Sequence, residues 1–137
     1  MKVVKSERDI ACEYGQEATG FTSPAQDYLS ERLSLDKILV ANPLSTFYFK
    51  VSGSSMLNAF IPNNAMLVVD RSIKPVNGKI IVGVLDGEFV VYRLIKNEYR
   101  TVLKPENSKC KEIEVTKEMD FKVWGVVTYI ITDTKMV

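Results

Sequence analysis

The stretch Lys79-Ile80-Ile81-Val82-Gly83-Val84-Leu85-Asp86-Gly87-Glu88-Phe89-Val90-Val91-Tyr92-Arg93-Leu94 contains two apolar, β-branched runs separated by Asp-Gly. Asp-Gly is favoured in a two-residue hairpin loop because both central residues need a positive φ, which predicts an antiparallel pair of strands. The same code extends in both directions. Thr46 to Val51 is rich in β-branched and aromatic residues, and Ala65 to Val69 follows the polar turn Pro62-Asn63-Asn64. Tyr99 to Leu103, Ile113 to Val115 and Phe121 to Thr132 complete the series, the last run interrupted by Gly125. Many short strands joined by tight polar turns predict a mostly β, coiled and predominantly antiparallel domain.

Upstream of Ser45 the periodicity differs. Ser23 and Pro24 suit the cap and first position of a helix, with Ala25, Leu29 and Leu33 on one face, and Ser34 is placed to cap a second piece over Leu35 to Val40. Residues 1–19 sustain neither a strand nor a helix period and read as an extended, flexible arm. The expected organisation is an arm over 1–19 and one domain over 20–137.

Composition narrows the chemistry. The 137 residues suit a single domain, and 18 basic against 17 acidic side chains give a net charge of +1, which disfavours direct nucleic-acid binding through a basic surface. With no histidine, triads and metal sites that need imidazole are excluded. Cys12 and Cys110 make neither a metal cluster nor a disulfide framework, so no cofactor and no metal are expected. The sequence offers no signal-like apolar run and no stretch of membrane-spanning length, which favours a reducing cytoplasm. The charged segment Lys109-Cys110-Lys111-Glu112 reads as a solvated loop.

Ser52-Gly53-Ser54-Ser55-Met56 is the most informative candidate site, because a strand running into glycine and hydroxyls can present one hydroxyl at the mouth of a cavity. Clustered serines also serve ordinary turns. A serine nucleophile needs a base, and without histidine that base would be a lysine held neutral in dry surroundings. Met56 and Phe60 are expected as wall and core around this turn, and Tyr48, Phe49 and Trp124 as core, Trp124 alternatively as an anchor on a dimer face.

From Gly20 to Ile131 the chain resembles UmuD-like proteins and, more broadly, the self-cleaving C-terminal domains of LexA and the phage repressors. The resemblance is carried in order by Gly20-Phe21-Thr22-Ser23-Pro24-Ala25 with Asp27-Tyr28, Ser52-Gly53-Ser54-Ser55-Met56, Asp86-Gly87-Glu88-Phe89-Val90-Val91, Leu103-Lys104-Pro105-Glu106-Asn107-Ser108 and Phe121-Lys122-Val123-Trp124-Gly125-Val126-Val127. It implies the family's β fold, Ser55 as nucleophile, backbone amides near Ser54 and Ser55 as oxyanion donors with Met56 in the site wall, and Thr19-Gly20 as the bond attacked.

The same resemblance puts the lysine base on the strand after the hairpin, at the position of Tyr92. Tyr92 is no ready base, Arg93 projects from the opposite face, and Lys96 lies four residues further on, reaching the site only if the hairpin register or a bulge differs. Thr19 is also β-branched where the family has Ala or Cys. The implied function is an SOS mutagenesis accessory protein, a homodimer partnering a Y-family DNA polymerase of the UmuC type and the RecA filament, touching DNA only indirectly and no membrane, with weak or lost self-cleavage. Two alternatives stay open: an active Ser-Lys self-peptidase stimulated by RecA, and a non-cleavable antagonist forming mixed dimers. Only 19 residues precede Gly20, too few for a repressor's helix-turn-helix domain.

Overall fold

A computed structural model describes residues 34–136. The arm, the helix expected from Ser23 to Leu33, Cys12 and the Thr19-Gly20 bond lie outside the described residues. Helix α1 spans Leu35–Leu39, and the strands are β1 (Thr46–Lys50), β2 (Met66–Asp70), β3 (Ile80–Leu85), β4 (Glu88–Lys96), β5 (Thr101–Lys104), β6 (Ile113–Glu114) and β7 (Phe121–Ile131). Every expected strand is present, with ends moved by at most two residues. The fold is the mostly antiparallel β-sheet with a short helical segment before it that the sequence predicts.

All seven strands share one sheet in the order β1-β2-β7-β3-β4-β5-β6. The deciding hairpin forms as read: Leu85 pairs with Glu88, and Asp86 and Gly87 take φ of 49° and 87°. This register sets Tyr92 opposite Ile81 and Lys96 opposite Thr101 at the far end of β4. β7 runs between β2 and β3, so the last long strand joins a β1-β2 ribbon to a β3-β4-β5-β6 ribbon.

Gly125 does not interrupt β7, contrary to the reading of the sequence. The strand is continuous from Phe121 to Ile131, and the pairing with β3 slips by one residue between Val82 and Gly83. A Cβ at Gly125 would stand 2.6 Å from Val69 Cγ1, so the missing side chain serves the close approach of β2 and β7. A second slip occurs between β2 and β7 at Val68/Val69. These irregularities bend and coil the sheet.

Two apolar clusters form. One gathers Met56, Ile61, Ala65, Leu67, Val69 and Val82, with Phe49, Val91 and Trp124 against it. The other gathers Ile81, Leu94, Leu103 and Val126, with Phe121 and Val123 against it. Tyr92 touches both clusters. Each fully buried aliphatic side chain contributes about 1.5 to 3 kcal/mol relative to exposure.

Two expected core residues are not core. Phe60 is 85% exposed because it ends the short 3₁₀ turn Leu57–Ala59 in the left-handed conformation, its N–H donating to the Leu57 carbonyl, with the ring directed outward. Tyr48 is 55% exposed because it lies on the outer strand β1. Phe49 is half-buried, as is Trp124, whose ring meets Phe47, Phe49 and Phe89 with centroids 5.0, 4.9 and 6.0 Å away. The Arg71 guanidinium covers the Trp124 ring at 4.4 Å, and its Nε–H donates to the Trp124 carbonyl at 3.0 Å.

Behind β1 and β2 sits one buried charge. The Asp70 carboxylate accepts hydrogen bonds from Asn42 Nδ2 at 3.0 Å, Ser45 Oγ at 2.7 Å, and the amide and hydroxyl of Ser72 at 2.8 and 2.7 Å. These donors, Asn42 first and Ser72 next, hold its carboxyl well below the usual carboxylate range despite burial. The cluster ties the entry to β1 to the exit from β2.

Candidate active site

Ser55 lies on the turn that leaves β1. Gly53 takes a φ of 108°, a conformation open to glycine, and lets the chain reverse immediately after Ser52. Met56 follows and is almost fully buried, anchoring the turn in the first apolar cluster and leaving Ser55 half-buried above it.

Two asparagines fix this turn from opposite sides. The Gly53 amide donates to Asn63 Oδ1 at 2.8 Å, and Asn107 Nδ2 donates to the Ser54 carbonyl at 2.7 Å. Asn107 belongs to the Leu103-to-Ser108 loop, which is itself held. The Asn58 amide donates to the Glu106 carbonyl at 2.7 Å, Arg93 Nε donates to Glu106 Oε1 at 2.6 Å, and Arg93 Nη1 donates to the Gly78 carbonyl at 2.7 Å. The amides of Ser54 and Ser55 form no hydrogen bond with another described residue. The bonds of Asn58 to Glu106 and of Asn107 to Ser54 tie the loop to the serine turn.

Ser55 opens into a cavity of about 240 Å³ whose wall includes Ser52, Met56 and Tyr92, the apolar side chains Phe49, Leu67, Val82 and Phe89, and Lys50 at the end of β1. Tyr92 reaches it from β4, so the fold brings Ser55 and Tyr92 together although 37 positions separate them in sequence. The Tyr92 phenol is pushed up from its ordinary value of 10.0, first by burial and then by the nearby Cys110. It is a neutral hydrogen-bonding group at physiological pH. Neither Arg93 nor Lys96 lines the cavity: Arg93 is engaged with Glu106, and Lys96 is carried past it by the two-residue hairpin register.

Sequence reasoning passed over Lys50 and Asn63. Lys50 directly precedes Val51-Ser52-Gly53, and an asparagine in a polar turn is a frequent partner for a backbone amide, so both carried a local signal. Among the described residues no group of His, Cys, Asp and Glu is arranged to hold a metal ion, and no helix is long and apolar enough to cross a membrane.

Residues 13–128 match the family described as peptidase S24-like. The chain belongs to that family and is a UmuD-like member of it. It is 39% identical over 116 residues to Protein ImpA of Salmonella typhimurium, an alignment covering 85% of this chain and 79% of that protein. It is 36% identical over 117 residues to Protein MucA of Escherichia coli, covering 85% and 80%. Protein SamA of Salmonella typhimurium is 34% identical over 116 residues, with the same coverage of 85% and 80%. The family membership accounts for the order of motifs along the chain, from the serine turn to the closing strand.

Proposed function

We propose that this chain is an SOS mutagenesis accessory protein that keeps the peptidase fold and Ser55 but does not cleave itself efficiently. On this reading Tyr92 occupies the place of the lysine base, Ser55 is the vestigial nucleophile, and the amides of Ser54 and Ser55, which have no partner among the described residues, form the oxyanion site beside Met56. The observation that carries the reading is the shared cavity of Ser55 and Tyr92, because the group beside the serine is a half-buried phenol whose proton is held more tightly than usual. Such a group takes no proton from a serine near pH 7. Lys50 lines the same wall but is exposed, whereas a lysine base must be kept from water to lose its charge.

The partners follow the family reading: a second copy of the chain, a Y-family DNA polymerase of the UmuC type, and the RecA filament, in the cytoplasm. Net charge near zero supports contacts with proteins over direct contacts with DNA. Residues 1–19 act as an arm on the domain formed by 20–137, and Thr19-Gly20 is the bond that an active relative would cut.

Intact mass tests this function. Purified protein is followed for a day with and without RecA filaments on single-stranded DNA, beside Ser55→Ala, and a polymerase of the UmuC type is assayed for lesion bypass with each. Unchanged mass together with stimulated bypass is the expected result. Ser55-dependent loss of residues 1–19 would restore the self-peptidase reading, and mixed dimers that suppress bypass would point to an antagonist.

A further inference from the structure

The sequence holds one Asn-Gly pair, Asn77-Gly78, in the polar turn that leads into β3. Asn-Gly readily loses its side-chain amide, because glycine leaves the following backbone nitrogen free to approach the asparagine Cγ. The Gly78 nitrogen gives up its proton and attacks Asn77 Cγ, and the Cγ–Nδ2 bond breaks with loss of ammonia. Water then opens the five-membered imide at one of its two carbonyls. The product is aspartate or, with the main chain rerouted through Cβ and Cγ, isoaspartate. Steric cover does not protect this pair: Asn77 is exposed, and no described atom lies within 4 Å of the point where a Gly78 side chain would begin. Hydrogen bonds engage each reacting group instead. Asn77 Oδ1 accepts from the Lys96 amide at 2.8 Å, and the Gly78 amide donates to the Leu94 carbonyl at 2.7 Å. The Lys79 amide closes the turn on the Val76 carbonyl at 3.2 Å, around a Gly78 φ of 90° that marks a type II turn. Arg93 adds a side-chain bond, its Nη1 donating to the Gly78 carbonyl at 2.7 Å while its Nε is engaged with Glu106.

From this arrangement we infer that Asn77-Gly78 is a covalent modification site whose reaction with water is held shut by the end of β4, with Arg93 as its latch. For the Gly78 nitrogen to reach Cγ, it must leave the Leu94 carbonyl, and the Asn77 side chain must leave the Lys96 amide. Both partners belong to β4, so the two bonds open together when Leu94 to Lys96 lift away from the turn. Arg93 resists that opening, because its guanidinium holds the Gly78 carbonyl and is itself pinned by Glu106. Local opening of a strand end takes less free energy than unfolding of the sheet, so the rate at Asn77 follows the end of β4 and not the whole domain. The consequence reaches the serine turn. An isoaspartate at position 77 lengthens the main chain by one carbon just before Gly78, which spoils the spacing that lets Gly78 meet Leu94 and Arg93 together. Arg93 then loses one of its two anchors, and the Glu106 loop, tied to Ser54 through Asn107, loosens with it. None of these steps depends on whether Ser55 cuts.

The test ages the full chain for weeks in mildly alkaline buffer, natively and in concentrated urea, while peptide mapping follows the one-dalton gain and the isoaspartate at residue 77. The native chain is expected to react at least about tenfold more slowly than the unfolded one, and Arg93→Ala to remove most of that protection. Glu106→Gln, which releases Arg93 without deleting it, accelerates the reaction by a smaller factor. Ile61→Val, which weakens the first apolar cluster, leaves the native rate nearly unchanged. A native rate equal to the unfolded one overturns the inference. So does acceleration in Ile61→Val that matches Arg93→Ala, since the site would then open only with the whole fold. Should Arg93→Ala fail to fold, Glu106→Gln carries the comparison, and an unaltered rate in it removes Arg93 from the latch. Isoaspartyl chains separated by ion exchange are expected to show faster amide exchange across residues 104–108 than fresh chains. Identical exchange in the two overturns the link to the serine turn.

Discussion

Asn107 donates its Nδ2–H to the carbonyl of Ser54 at 2.7 Å, joining a loop after β5 to the turn after β1. The bond is exposed, so its energetic worth is small, but it fixes the residue immediately before Ser55. Asn107→Ala is expected to lower stability by about 0.5 to 1.5 kcal/mol, while sharply increasing amide hydrogen exchange across residues 53–57. Exchange that rises evenly over the whole sheet would show that the bond does not act locally.

Tyr92→Lys places an amine in the cavity that Ser55 already lines. We expect this single change to produce slow Ser55-dependent loss of residues 1–19, followed by mass, and the double variant with Ser55→Ala to remain whole. The rate should rise with pH as the amine gives up its proton. A Tyr92→Lys protein that folds and stays intact at every pH would count against the proposed place of Tyr92.

The ionisation of Tyr92 has its own signature. Its folded value lies above 10.0, so its contribution to stability is fully present below the unfolded value and is lost as pH rises through the folded one. Ultraviolet titration of the wild type against Tyr92→Phe should assign to this residue a phenol that ionises above the ordinary value of 10.0.

Asp70 gives the opposite dependence. Because its folded value is depressed, the carboxylate stabilises the protein above the unfolded carboxyl value near 4 and progressively ceases to do so as pH falls below it. Asp70→Ala should cost about 2 to 3 kcal/mol at neutral pH, leaving Asn42, Ser45 and Ser72 without their acceptor, and should flatten the acid limb of a denaturation profile.

At Phe60 the backbone holds φ at 64° and ψ at 31°, where a side chain costs roughly 1 to 2 kcal/mol and glycine costs nothing sterically. Phe60→Gly forfeits little burial, since the ring is exposed, but makes the unfolded chain more flexible. A net gain of about 0.5 to 1 kcal/mol in chemical denaturation is expected. A loss instead would mean that the ring makes contacts beyond the described residues.

Most of the sheet was legible because local chemistry and tertiary structure agree. Asp86-Gly87 set the register of β3 against β4, and each run read as a strand became one. Gly125 misled because a glycine's local meaning is interruption, whereas here it admits Val69 from another strand. Phe60 and Tyr48 misled because hydrophobicity alone does not reveal which side of a turn or of an outer strand faces water. The turn that presents Ser55 to a cavity was legible from its motif. Lys50 and Asn63 were not, since their importance comes from a cavity and a hydrogen bond that exist only once β1 has turned toward β4.

The position of β7 between the two ribbons also bears on the order of synthesis. Ser55 is made with β1 and β2, Tyr92 with β3 and β4, and neither ribbon pairs with the other except through Phe121–Ile131. Sheet pairing between the two pieces is therefore completed only when the closing strand emerges. The cavity takes its final shape only after Phe121–Ile131, made later than both ribbons, has paired with β2 and β3.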